Sequence, residues 1–148
     1  MVPNTKITAA GVLLISSDNK ILAFARRGNL KKLGLPAGLR ENNEELIKCA
    51  EREIFEETGV KITITSEDVK FTYKSDDKQE KKVDEFCVTY IKNINSKSKD
   101  IVLEKANEDE DGVAEGFALW VSPQKFISAG NSAFIDYNTA LLKFAGLI

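Results

Sequence analysis

The chain has 148 residues, 43% of them hydrophobic and 30% charged, which excludes a disordered chain and suits one domain with one core. Twenty-one basic side chains against 23 acidic ones leave a net charge of −2, so no basic excess marks a nucleic-acid groove, and a small polyanion would need a metal or a local cationic cluster. Histidine is absent, which removes His-based triads, His metal ligands and His general bases and leaves any acid–base or metal chemistry to carboxylates.

The first six residues lack a charged region followed by an apolar run, so no signal peptide is expected. No apolar stretch is long enough to span a membrane. Cys49 and Cys87 are too few for a disulfide framework or a Cys-based zinc site. A cytoplasmic protein, monomeric or homodimeric, is the expectation.

In chain order, residues 7–16 are apolar and β-branched, stop at Ser17-Asp18-Asn19, and resume at 20–26. Two such runs about a polar turn predict a β-hairpin. Residues 28–37, with Gly, Pro and lysines, read as a loop. Residues 44–58 predict a helix, capped by Asn42 or Asn43, with glutamates in its first turn and Gly59 as its stop. Strands are expected at 61–66, 69–73, 83–91 and 117–121. Segments 74–82 and 92–112 are polar and read as connections. Ser122-Pro123 opens a short helix, and Ser132 begins a last one carrying Phe134, Tyr137, Leu141, Leu142 and Ala145 at helical spacing. Strands, a helix, more strands and a C-terminal helix predict a mixed sheet covered by helices, an α+β or α/β/α arrangement in one domain over residues 1–148.

The chemistry is concentrated at residues 38–60. Glu53, Glu56 and Glu57 sit at i, i+3 and i+4, so all three leave one face of the helix within about one turn. Like charges at that spacing repel, and stability alone gives no reason to choose them. A divalent cation reverses the sign, and a carboxylate-only, oxygen-rich site suits Mg²⁺ or Mn²⁺. Gly38, after Leu35-Pro36-Ala37, permits close backbone approach and offers a carbonyl as a further hard ligand. Arg52 can hold a neighbouring carboxylate with its planar fork. Small Cys49 and Ala50, one turn before Glu53, leave room for a close loop, and Cys49 reads as a packing residue.

Here the residues resemble the Nudix box: Gly, five residues, Glu, seven residues, Arg-Glu, an aliphatic residue, any residue, Glu-Glu, any residue, Gly, an aliphatic residue. Gly38, Glu44, Arg52-Glu53, Ile54, Glu56-Glu57, Gly59 and Val60 stand at every fixed position. Chance would place the seven invariant residues below roughly 10⁻⁸ per starting position. The preceding strands, Leu35-Pro36 and Trp120-Val121-Ser122-Pro123 resemble family members more loosely. The family's extended form has two glycines after the proline and another before the first Glu. Ala37 and Asn43 depart from it, which bears on loop shape and not on metal ligands.

The resemblance implies an α/β/α sandwich with a loop–helix–loop catalytic motif and an Mg²⁺-dependent hydrolase, with Mn²⁺ as a substitute, acting on a diphosphate linkage in a nucleoside diphosphate derivative. It implies Glu56 and Glu57 as metal ligands, Glu53 as ligand or base, Gly38 in the metal site, Arg52 as their orienter, and Glu44 joined to the metal through water or to Arg52. Arg26 and Arg27, with Lys31 and Lys32 nearby, are candidate phosphate contacts. Glu115 is a candidate substrate contact, ligand or base, and the acidic run 108–111 a further source of carboxylates. Trp120 reads as core, with base stacking as the alternative. Phe24-Ala25-Arg26-Arg27 resembles MutT-like nucleoside triphosphate pyrophosphatases, although Leu39 follows the box glycine where that branch commonly has Lys. A dinucleoside polyphosphate, ADP-sugar or RNA 5′-end hydrolase is the alternative. A non-enzymatic nucleotide-sensing domain ranks lower, because such domains lose box carboxylates.

Overall fold

The structure is a computed structural model that describes residues 7–26, 29–72, 86–103, 116–130 and 134–148, with Arg26 and Phe86 described by backbone only. Its strands are β1 (Ile7–Ile15), β2 (Ile21–Arg26), β3 (Leu33–Gly34), β4 (Ala37–Leu39), β5 (Lys70–Thr72), β6 (Phe86–Asn93) and β7 (Gly116–Val121). The helices are α1 (Leu46–Thr58), α2 (Pro123–Ser128) and α3 (Ile135–Phe144), with a 3₁₀ turn at Ser98–Asp100.

The expected hairpin forms, but its strands part almost at once. Ile15 faces Ile21 beside the turn, and below it β1 pairs antiparallel with β4, Gly11 opposite Ala37. β2 pairs with β7 along its whole length, so β3, opposite Phe24 and Ala25, occupies the edge that β2 shares with β1. Segment 33–39 is thus wedged into the split hairpin. It was expected to be loop up to residue 37. Two short runs become strands because the parted strands leave backbone groups that only a third strand can pair. The other edge of β1 runs parallel to β6, and β5 is antiparallel to β6.

Both faces of this mixed sheet are covered, which is why its inner strands read as unbroken apolar runs. Ala10, Val12, Leu14, Leu22 and Val88 pack on one face with Cys49, Ala50 and Ile54 of α1. Leu13, Ile15, Ile21, Ala23 and Ala25 pack on the other with Phe126 of α2 and Leu141 and Leu142 of α3. The α/β/α sandwich is therefore observed, with two core layers in place of one.

Three local expectations are corrected. Neither asparagine caps α1: Glu45 is the N-cap, without a side-chain bond, and no acidic residue lies in the first turn. Asn43 takes a left-handed φ of 61°, and the Glu44 carboxylate is committed to Arg52 and to the Glu41 N–H. Residues 61–66 join no strand; the Ile64 N–H is taken by the Glu51 carboxylate at 2.8 Å and the Ile64 side chain enters the core. Phe134 is 58% exposed although it continues the apolar spacing of the last helix. Gly59 does stop α1, at φ 79°, its N–H reaching Phe55 O, and Ser122 caps α2 through the Lys125 N–H. Ser132 and residues 74–82 lie outside the described residues.

Asp18, in the hairpin turn, accepts from Ser16 Oγ at 2.6 Å, Ser98 N at 2.9 Å and Ser98 Oγ at 2.7 Å. These bonds, the Ser16 hydroxyl foremost, hold its carboxyl well below the usual carboxylate range. A carboxyl depressed on folding stabilises fully above its unfolded pKa, near 4, and loses that effect as the pH falls toward its folded value. Asp18→Ala should therefore lower Tm by a few degrees at pH 7, and the gap to wild type should narrow below about pH 4. Thermal unfolding followed across pH checks this; a gap constant with pH would contradict it.

Candidate active site

Helix α1 lies against β4 from Cys49 to Glu57, which brings loop and helix carboxylates to one cleft of about 400 Å³. It is lined by Ala37, Gly38, Leu39, Glu41, Arg52, Glu53, Glu56 and Glu57. Gly38 is needed for space: a Cβ there would fall on the Glu53 carboxylate. The Cys49 thiol points to the Gly38 carbonyl at 3.6 Å. Burial, with the Glu44 charge second, pushes that thiol up to about 11, so it stays protonated and inert at neutral pH. This agrees with its reading as a packing residue.

Arg52 is the hub. Its Nε and Nη2 grip both Glu44 oxygens at 2.8 and 2.9 Å, Nη2 also reaches Leu39 O at 3.1 Å, and Nη1 reaches Glu53 at 2.9 Å and Glu56 at 3.3 Å. All five guanidinium N–H groups therefore have acceptors. The Arg52 hydrogen bonds hold the Glu44 carboxyl down to about 2. Glu53 goes the other way: burial pushes its carboxyl up, and the Glu56 and Glu44 charges add to burial while Arg52 opposes it. Two carboxylates on one guanidinium thus differ, one firmly ionised and one closer to accepting a proton. Glu57 is buried, and its Oε1 takes the Ala37 N–H at 2.8 Å.

Gly38, Arg52, Glu53, Glu56 and Glu57 thus lie around one cleft, with Glu44 held behind them by Arg52. Among the described residues no three acidic or sulfur side chains converge on one point suited to a metal. The cause is visible: Arg52 draws Glu53 and Glu56, while the Ala37 amide draws Glu57. The donor set is nonetheless all hard oxygen, with four carboxylates in the cleft against one guanidinium, which fits Mg²⁺ or Mn²⁺ chemistry.

Lys31 and Lys32 are exposed and do not line this cleft. The Arg26 side chain, Arg27, Glu115 and the run 108–111 lie outside what the structure describes. Trp120 packs partly buried against the α1-side core, as expected, and its Nε1 has no acceptor among the described residues. Sequence reasoning missed three features of the cleft: the Ala37 amide, the exposed Leu39 and Glu41. A backbone donor leaves no residue-type signal, and the other two occupy variable places in the motif.

The fold and cleft together are a carboxylate-lined pocket on a loop–helix–loop in an α/β/α sandwich. A NUDIX domain model matches residues 5–140, and the chain belongs to the Nudix family. It is 40% identical over 62 residues to the mouse protein "Nucleoside diphosphate-linked moiety X motif 6", a match spanning 41% of this chain and 20% of the mouse protein. Among solved structures, a bifunctional NMN adenylyltransferase/ADP ribose pyrophosphatase from Francisella tularensis, complexed with AMP and Mn ion, superposes with a TM-score of 0.66. It is 18% identical, over 95% of this chain and 42% of that one. An Ap4A hydrolase from C. elegans gives 0.61 at 14% identity, over 93% of this chain and 98% of that one. At these identities the likeness is one of fold. Among the described residues no helix is long and apolar enough to cross a membrane.

Arg52→Lys tests the hub. An ammonium cannot grip Glu44 with two parallel bonds while also reaching Leu39 O and Glu53. The kcat of any hydrolytic turnover should fall at least about tenfold, with Tm lowered by only a few degrees. Wild-type kcat in this variant would remove Arg52 from any orienting role.

Proposed function

We propose that the protein is an Mg²⁺-dependent hydrolase of the diphosphate linkage in a free nucleotide, with a nucleoside triphosphate as its first substrate and a nucleoside monophosphate and pyrophosphate as products. The observation that carries this reading is the crowding of Glu41, Glu53, Glu56 and Glu57 about a cleft whose one cation among the described residues, Arg52, has every N–H engaged. A polyphosphate would be repelled from such a cleft unless divalent cations entered with it. Glu56, Glu57, Glu53 and the Gly38 carbonyl are the groups that would hold them. When bound, Mg²⁺ or Mn²⁺ supplies charge neutralisation of the diphosphate and a lowered pKa for an attacking water.

The chain's own residues do the rest. Arg52 and Glu44 orient the helix carboxylates. Glu53, its carboxyl raised by burial, serves either as a third metal ligand or as the base that takes the proton from water. Leu39, 70% exposed at the rim, offers an apolar edge to the nucleoside or its leaving group.

Chelation by EDTA should abolish turnover, and Mg²⁺ or Mn²⁺ should restore it. Glu56→Gln and Glu57→Gln should each cut kcat by roughly 10²-fold or more, with stability unchanged or slightly raised as like-charge repulsion is relieved. Full turnover in metal-free buffer, or near wild-type kcat in either variant, would overturn the ligand assignment.

Substrate choice rests on the resemblance of Phe24-Ala25-Arg26-Arg27 to MutT-like enzymes and on the mild net negative charge. A nucleoside triphosphate, an ADP-sugar, a dinucleoside polyphosphate and a 5′-triphosphorylated RNA should be compared at equal concentration. The triphosphate should be hydrolysed fastest, and kcat/KM should change little between low and physiological salt, whereas a polymer binder loses affinity steeply. If RNA is processed fastest, the free-nucleotide reading fails.

A further inference from the structure

We infer that Gly11 of β1 is a positioning residue for the reaction: by carrying no side chain it lets β4 lie close enough for the Ala37 amide to hold Glu57. The φ of Gly11 is not left-handed, so its backbone does not demand glycine; space does. A Cβ on Gly11 would sit 2.6 Å from Ala37 Cβ and 2.8 Å from Pro36 O. The two residues are directly opposed across the β1–β4 pair, and Val12 N donates to Pro36 O at 3.0 Å. Neither neighbour is the far end of a flexible side chain, so an added methyl group must move the β4 backbone. That backbone carries the Ala37 N–H, 2.8 Å from Glu57 Oε1, and then Gly38, against which the Glu53 carboxylate lies. Gly11 has no contact with the cleft, yet it sets the distance between β4 and α1 on which two carboxylates depend.

Ala37 adds to the need. It stands where the family's extended motif has glycine, so its Cβ is the nearer of the two obstacles, and Gly11 compensates for it. The inference rests on Glu57 being a metal ligand.

Mn²⁺ affinity, read from the paramagnetic resonance of the free ion in a titration of protein without substrate, is the measurement, with circular dichroism and metal-free Tm as fold controls. Gly11→Ala should weaken Mn²⁺ binding about tenfold. Ala37→Gly should bind as wild type, and the double variant should recover at least half of the loss on a logarithmic scale. Unchanged affinity in Gly11→Ala, or a loss that Ala37→Gly does not relieve, overturns the inference. If Gly11→Ala does not fold, the double variant decides alone: affinity near wild type supports the inference and a tenfold loss overturns it. If neither folds, amide exchange decides. The Ala37 N–H should be protected in the wild type and released in Glu57→Ala, and an unprotected Ala37 N–H in the wild type overturns the inference. Glu57→Gln keeps an acceptor for Ala37 but loses the charge, so wild-type Mn²⁺ affinity in that variant brings down the ligand reading itself, whatever Gly11 does.

Discussion

One guanidinium keeps the site from flying apart. Helix α1 carries Glu53, Glu56 and Glu57 within one turn, and the preceding loop adds Glu41 and Glu44. Left alone, these charges would spread their side chains and strain the helix N-terminal to Gly59. Arg52 gathers four of the five, with Glu41 at 3.7 Å and the others at hydrogen-bond distance. Its planar fork is the reason it can: separate N–H directions serve Glu44, Glu53, Glu56 and a carbonyl at once, which a point charge cannot do. Because every donor is engaged, Arg52 is spent on the protein's own carboxylates and a backbone carbonyl.

The same arrangement divides labour among like groups. Glu44 sits deepest in the fork and is firmly ionised, so it fixes Arg52. Glu53 is half-turned into the protein, where burial raises its carboxyl. Glu57 is buried against a backbone amide. Two residues of one type on one guanidinium, Glu44 and Glu53, acquire different protonation behaviour from their surroundings alone. Under the proposed function, a metal held by Glu53 and Glu56 would compete with Arg52 for their oxygens.

The sheet makes this geometry stiff. The early parting of β1 and β2 admits segment 33–39, and its strand pairing clamps Ala37 and Gly38 to β1 on one side while α1 packs over them. The segment that carries Gly38 is therefore a strand paired to β1 and not a surface excursion. Cys49, Ala50 and Ile54 bury α1 in the core along a flank that adjoins its acidic face, so the helix cannot turn its carboxylates without disturbing that layer.

What the sequence determined by itself was the family, the residues that gather about the cleft and most elements. The absence of histidine, the i, i+3, i+4 glutamates, Arg52 and the Gly38 and Gly59 boundaries are local in the chain, and helical geometry converts their spacing into a shared face with no further information. The hairpin, α1, β6, β7 and the two C-terminal helices were legible because apolar period and turn chemistry are local as well. Tertiary structure decided the rest. Segment 33–39 became strands only because β1 and β2 part and leave unpaired edges, and 61–66, which alternates like a strand, became a tether because Glu51 and the core claimed Ile64. Asn43 lost the cap when Glu44 was drawn to Arg52. The pairing of Gly11 with Ala37, and through it the grip on Glu57, joins residues far apart in the chain through a contact between a missing side chain and a backbone. Neither leaves a pattern in composition or period, because close approach is a property of two strands and not of either one.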